Sequence, residues 1–177
     1  LWKFGTREVV YAAIGAALYG VLSWLSNFLA LPAAGNIALR PAVAIPMFFG
    51  VAFGPLVGFL TGFVGNIIGD FLSGWGFFWN WDVGNGLMGL IPGLMAASVV
   101  SFKDRPTLIK AALWSILGAA VGMLFASVTE VWISGIDWNT AIVGYWLPAF
   151  LTDAVNGAIL VPILMVAYDA VAARSGR

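Results

Sequence analysis

Apolar runs dominate this chain, and the polar positions between them are few enough to act as punctuation. Six runs stand out, at 7–27, 41–54, 55–72, 82–101, 107–133 and 146–171. A helix needs ~20 apolar residues to cross a hydrocarbon core, so the pattern predicts an all-α membrane protein, a compact bundle of six transmembrane helices. The second run is short and stops at Phe53-Gly54-Pro55. Proline cannot donate within a continuing helix but suits the first turn of a new one, so the pair predicts a tight turn between two helices. The competing reading is one kinked helix over 41–72, longer than a single span requires. Leu1 to Arg7 is too short and polar for a cleaved leader, so the first helix is expected to be retained.

Composition turns this pattern into a bound. Of the 177 residues 62% are hydrophobic and only 9% charged, whereas soluble domains are about 25% charged. The spans leave no room for a separate soluble domain, so a single transmembrane domain over 1–177 is expected. The chain has no Cys and no His. Disulfides, thiol nucleophiles, Ser-His-Asp chemistry and Cys/His zinc sites are thereby excluded, and neither catalytic residues nor a resident metal is expected. Eight bases balance eight acids, so no net field points to nucleic acid.

The placement of those charges carries more. Lys3, Arg7, Lys103, Arg105, Lys110, Arg174 and Arg177 flank the runs so that six spans gather all seven on one side, leaving Arg40 alone on the other. By the positive-inside rule that side is the cytoplasm, with both termini in it. Fusing the second and third runs would split the basic clusters. The acids Asp70, Asp82, Glu130, Asp137 and Asp153 collect on the outer side, with Asn66, Asn80, Asn85, Thr129, Asn139, Thr152 and Asn156 at similar depth. Ionisable groups in spans are costly and face a bundle interior or cavity, so the cluster is a candidate site. Asp82 and Asn85 share one helix face, and Asp153 and Asn156 repeat the spacing. N-terminal helix capping is the competing reading for Asp82 and Asp153. Glu130 lies towards the negative end of its helix dipole and should have a cationic or hydrogen-bonding partner.

Aromatic residues share that depth: Trp75, Phe77, Phe78, Trp79 and Trp81, then Trp132, Trp138, Tyr145 and Trp146. They read either as an interfacial belt or as the lining of a pocket for a flat ligand. The interleaving in Trp79-Asn80-Trp81-Asp82 favours the pocket. Glycines recur at Gly50, Gly54, Gly58 and Gly62, again at Gly65 and Gly69, Gly89 and Gly93, and Gly118 and Gly122, a spacing that predicts close helix packing. In the first helix Ala12, Ala13, Ala16 and Ala17 form an Ala-x-x-x-Ala stripe, which suits internal packing or a partner membrane protein.

These features together resemble the substrate-binding S components of energy-coupling factor (ECF) vitamin transporters. The likeness rests on six short helices, the alanine stripe, the run Arg40-Pro41-Ala42-Val43-Ala44-Ile45-Pro46, the Phe53-Gly54-Pro55-Leu56-Val57-Gly58 turn, and Asn85-Gly86-Leu87-Met88-Gly89-Leu90-Ile91-Pro92-Gly93. It implies a micronutrient binder in a prokaryotic cytoplasmic membrane. Such a chain has no cofactor of its own; ATP is used by two ATPase subunits, joined through a transmembrane coupling subunit that the alanine stripe would contact. The resemblance also implies a substrate site near the outer surface, between the last three helices and capped by the loop after the first. Absence of His argues against the family's nickel and cobalt branch.

Substrate-binding roles are expected for Arg40, Trp79, Asp82, Asn85, Glu130, Trp146, Asp153 and Asn156. Several carboxylates beside one base suggest a neutral or cationic ligand, and the aromatics a ring that stacks. A thiamine-like pyrimidine, a nucleobase-like queuosine precursor, a flavin-like ring or a corrinoid all fit. The alternatives are an accessory subunit without ligand and, less favoured by the polar pattern, a small channel or secondary transporter or an intramembrane enzyme.

Overall fold

The computed structural model describes residues 1–27 and 40–174. The loop after the first helix, expected to cap the site, lies outside the described residues, as does Arg177. Six α-helices follow in order: α1 (Thr6–Ser26), α2 (Ala44–Phe53), α3 (Pro55–Leu72), α4 (Trp79–Gly93), α5 (Arg105–Ile133) and α6 (Leu147–Arg174). A 3-10 turn, Pro41–Val43, leads into α2, and a π-helical stretch, Thr140–Trp146, runs into α6. No strand occurs among the described residues.

Most boundaries follow the hydrophobic runs, and the departures have local causes. Gly54, at φ 109° and ψ 166°, closes α2, and Pro55 opens α3. That conformation is open to glycine and costly for other residues, so 41–72 is two helices and not one kinked helix. The fourth run predicts a helix over 82–101, but α4 begins at Trp79 and ends at Gly93. Pro92 withholds a backbone donor, and Gly93 lies so close to Pro55 that a Cβ would sit 2.6 Å from the Pro55 Cα. At the start of α5, the Asp104 carboxylate accepts from the Thr107 amide at 3.0 Å. Asp137 likewise accepts from the Thr140 hydroxyl (2.7 Å) and amide (3.0 Å) at the start of the π stretch. These bonds hold the Asp137 carboxyl below its usual range, so their stabilisation is present near neutral pH and is lost as pH falls through the lowered value.

Four helical stretches are long and apolar enough to cross a membrane: Thr6–Ser26, Pro55–Leu72, Arg105–Ile133 and Thr140–Arg174. With 10 and 15 residues, α2 and α4 reach only about 15 and 22 Å, less than a ~30 Å hydrocarbon core. Both are largely buried. The helices pack in the sequence α1, α3, α4, α5, α6, with α2 against α3, α4 and α6.

Glycine sets how closely these helices approach. Gly50 of α2 and Gly58 of α3 both abut the Gly89 carbonyl of α4, and a Cβ on either would overlap it. Higher in the bundle Gly62 lies on the Asn85 backbone, and Gly84 on Gly122 of α5. Small residues thus let three backbones meet where lipid supplies no hydrophobic drive for association. The consequence reaches the candidate site: with α3 and α4 drawn together at Gly62 and Asn85, Asn66 stands one turn further along beside Asn85.

The described bases other than Arg40 gather at the other end. Leu1 lies beside Gly54, Pro55 beside Gly93, and Lys103 pairs with Asp169 at 3.5 Å, so the α1 start, the α2–α3 turn, the α4–α5 loop and the end of α6 adjoin one another.

Candidate functional site

Opposite that basic end, a directional hydrogen-bond network ties α1, α3 and α4 together. Arg40 Nη2 donates to the Tyr19 hydroxyl at 2.6 Å, to Asn85 Oδ1 at 3.2 Å and to Asn66 Oδ1 at 3.3 Å. Tyr19, wholly buried, donates in turn to Asn85 Oδ1 at 2.6 Å. Both amide oxygens face the guanidinium, so both amide nitrogens point away from it. Asn66 Nδ2 donates to Asp70 Oδ2 at 3.0 Å and to Asp82 Oδ1 at 2.9 Å, while Asn85 Nδ2 donates to the Trp81 carbonyl at 2.9 Å. Buried polar groups in a membrane need such internal partners. Asp82 Oδ2 and Arg40 Nε are left buried without one.

Above this network a cavity opens in two chambers. The first, about 250 Å³, is lined by Ser23, Asn27, Arg40, Asp70, Trp81, Tyr145, Thr152 and Asp153 among others. The second, about 790 Å³, is reached past Arg40, Asp70, Trp75, Trp81 and Tyr145, which line both, and adds Asn80, Trp79, Phe77, Phe78, Glu130 and Ser134. Trp81 and Tyr145, with ring centres 6.3 Å apart, stand where the chambers join. The π stretch brings Gly144 and Tyr145 to the cavity, and its last residue, Trp146, is anchored to α5 by a 3.0 Å bond to the Ala120 carbonyl.

Glu130 has the hydrogen-bonding partners its position near a helix C-terminus demands. Oε1 accepts from Trp81 Nε1 at 2.7 Å and Asn80 Nδ2 at 2.9 Å, and Oε2 accepts from the Ser134 hydroxyl. The carboxylate therefore fixes the Trp81 indole at the chamber junction. Glu130→Ala should release that indole and leave the half-buried Trp81 donor unpaired, while Asn80 Nδ2 keeps the Ala126 and Thr129 oxygens, at about 1–3 kcal/mol. Retention of a bound small molecule should fall several-fold, with altered tryptophan emission and an intact bundle; Glu130→Gln, which keeps one acceptor, should lie between. Wild-type emission and retention in Glu130→Ala would remove this role.

The expected site residues divide into three groups. Arg40, Trp79, Asn85, Glu130 and Asp153 line the cavity. Asp82 is completely buried beneath it, bonded to Asn66. Trp146 and Asn156 line neither chamber: Trp146 stacks on Phe150 at 5.3 Å, and Asn156 bonds to the Thr152 carbonyl of its own helix. The capping reading is corrected too. No side chain caps α4, although Asp82 does lie in its first turn, where the helix dipole favours an acid, and Asp153 lies well inside a helix that starts at Leu147. The alanine stripe splits. Ala12 and Ala16 are buried against the bundle, because Gly65 of α3 packs on the Ala16 carbonyl, whereas Ala13 and Ala17 are exposed. Only the latter pair is open to a partner.

Tyr19 and Ser23 of α1, and Asn27 just past its end, are contributions that charge placement alone does not reveal. They recur every four residues, a polar line on an otherwise apolar helix, and that line was the available signal.

The profile of the ECF-type riboflavin transporter S component family matches residues 3–170, nearly the whole chain. The chain belongs to that family. Its membership agrees with the resemblance carried by the alanine stripe and the Phe-Gly-Pro turn. A UPF0397 protein of Vibrio atlanticus (strain LGP32) is 45% identical over 92 residues, 52% of this chain. The matched segment spans half (50%) of that relative's length. S components are transporter subunits, not an enzyme class, and the apolar helices agree with a membrane location.

Proposed function

We propose that this chain captures a vitamin-like, ring-containing small molecule in the two-chambered cavity and presents it for ATP-driven uptake. The observation that carries this reading is the cavity itself: tryptophan and tyrosine walls around a few convergent polar groups, at the end opposite the basic cluster. On this reading the basic end and both termini are cytoplasmic and the cavity faces outward from a prokaryotic cytoplasmic membrane crossed six times. The partners are a transmembrane coupling subunit and two ATPases. Ala13 and Ala17, with exposed Val10, Ile14 and Leu18 around them, form the smooth face offered to the coupling subunit.

The matching family's name makes riboflavin the first ligand to assay. Purified protein should carry a small organic molecule identifiable by mass spectrometry, or bind one of a vitamin panel with quenching of tryptophan emission. A chain that neither carries nor binds any such molecule, yet is still pulled down with membrane partners, would be an accessory subunit instead.

A further inference from the structure

Resting on that reading, we infer that the ligand is a cationic, N–H-bearing flat heterocycle whose charged nitrogen is received by Asp153. The argument begins with charge. Among the described bases only Arg40 lines the cavity, and residues 28–39, which follow α1 in the sequence, include no charged residue. No second described base lies there. Against Arg40 the two chambers set Asp70, Asp153 and Glu130.

These acids differ in what they already hold. Glu130 accepts three hydrogen bonds, and Asp70 one, from Asn66. Asp153 is only 3% exposed, lines the first chamber, and accepts none among the described residues. Among the described residues no Arg40 nitrogen comes within ion-pair distance of either aspartate, although its charge acts on both; its Nη2 donates to the neutral oxygens of Tyr19, Asn66 and Asn85. A carboxylate left in an apolar span without a donor is costly. The missing donor is therefore one that the ligand brings.

The neighbouring polar groups point the same way. The Thr152 hydroxyl donates to carbonyls of its own helix, the Ser73 hydroxyl to the Gly69 carbonyl, and the Trp81 indole to Glu130. These three donors are thus already used, while Arg40 Nε is a buried donor still without a partner. An anion would find Arg40 alone; a cation finds Asp153, an open oxygen of Asp70 and the ring faces of Trp81 and Tyr145, which attract positive charge.

The test uses the purified chain in detergent, calorimetry with proflavine, a flat tricyclic cation whose protonated ring nitrogen carries N–H, as cationic probe and riboflavin as neutral probe, and mass spectrometry of copurifying material. Wild-type protein should prefer the cation by about 10-fold or more, and Asp153→Asn should lose it by about 30-fold while the neutral probe moves less than about threefold. A copurifying cation that is missing from Asp153→Asn supports the same conclusion. A neutral or anionic molecule that binds more tightly, or is retained by Asp153→Asn, overturns the inference and leaves the S-component reading standing. No copurifying molecule and no binding of either probe overturns both. If Asp153→Asn does not fold, the wild-type preference between probes and the charge of the copurifying molecule still decide.

Discussion

Gly58→Leu is expected to abolish the monodisperse protein peak in detergent size-exclusion chromatography. A Cβ at this position would overlap the Gly89 carbonyl and sit 2.7 Å from the Gly50 Cα, so the obstruction is backbone from two other helices. A flexible side chain could swing aside, whereas these backbones can yield only by separating α2, α3 and α4. Overpacking in a close-packed interior costs about 1–3 kcal/mol where neighbours can give; here nothing nearby can, so the loss should exceed that range. Separation would also carry Asn66 away from Asn85 and dismantle the site from below. Gly144→Ala is the contrasting substitution, since its Cβ would meet only the Thr140 methyl at 3.6 Å, and it should leave the peak unchanged. A normal peak for Gly58→Leu would mean that the three-helix contact does not hold the bundle together.

Gly58 also shows how legible the architecture was. The four-residue glycine spacing and the Gly-Pro turn stated where helices approach and where they break, because both are local properties of the backbone. What the spacing could not give is which helices meet: Gly50 and Gly58 converge on Gly89 through the fold. The site was readable for a similar reason. Acids in an apolar chain are conspicuous, so Asp153 and Glu130, which line the cavity, stand out in the sequence. Trp146 and Asn156 share that depth but line neither chamber, because sequence shows depth and not facing; their bonds run to the Ala120 carbonyl and to the Thr152 carbonyl. Ala12 and Ala16 show the same limit, since a stripe of small residues looks alike whether it packs inward or outward. Tyr19 went unnoticed because a tyrosine in an apolar run is ordinary until its hydroxyl is seen between Arg40 and Asn85.

Arg40→Ala should lower the stability of ligand-free protein by about 3 kcal/mol, since it removes a charged donor shared by three buried or half-buried oxygens. In a chain of this size that corresponds to a fall in Tm of roughly 6–12 °C. The loss is structural before it is functional: the guanidinium joins Tyr19 of α1, Asn66 of α3 and Asn85 of α4, and among the described residues it is the only base beside Asp70 and Asp153. Without it the Asn66 and Asn85 oxygens lose a donor, and the amide nitrogens that orient Asp70, Asp82 and the Trp81 backbone lose their counterweight. Arg40→Lys keeps the charge but not the planar fork, so it should recover only part of the loss. The melting curve of ligand-free protein separates two roles for this residue. A large drop in Tm assigns Arg40 to the junction of three helices, whereas an unchanged melt with abolished binding would make it a ligand contact instead. The first outcome follows from the bonds Arg40 already makes, all of them to the protein.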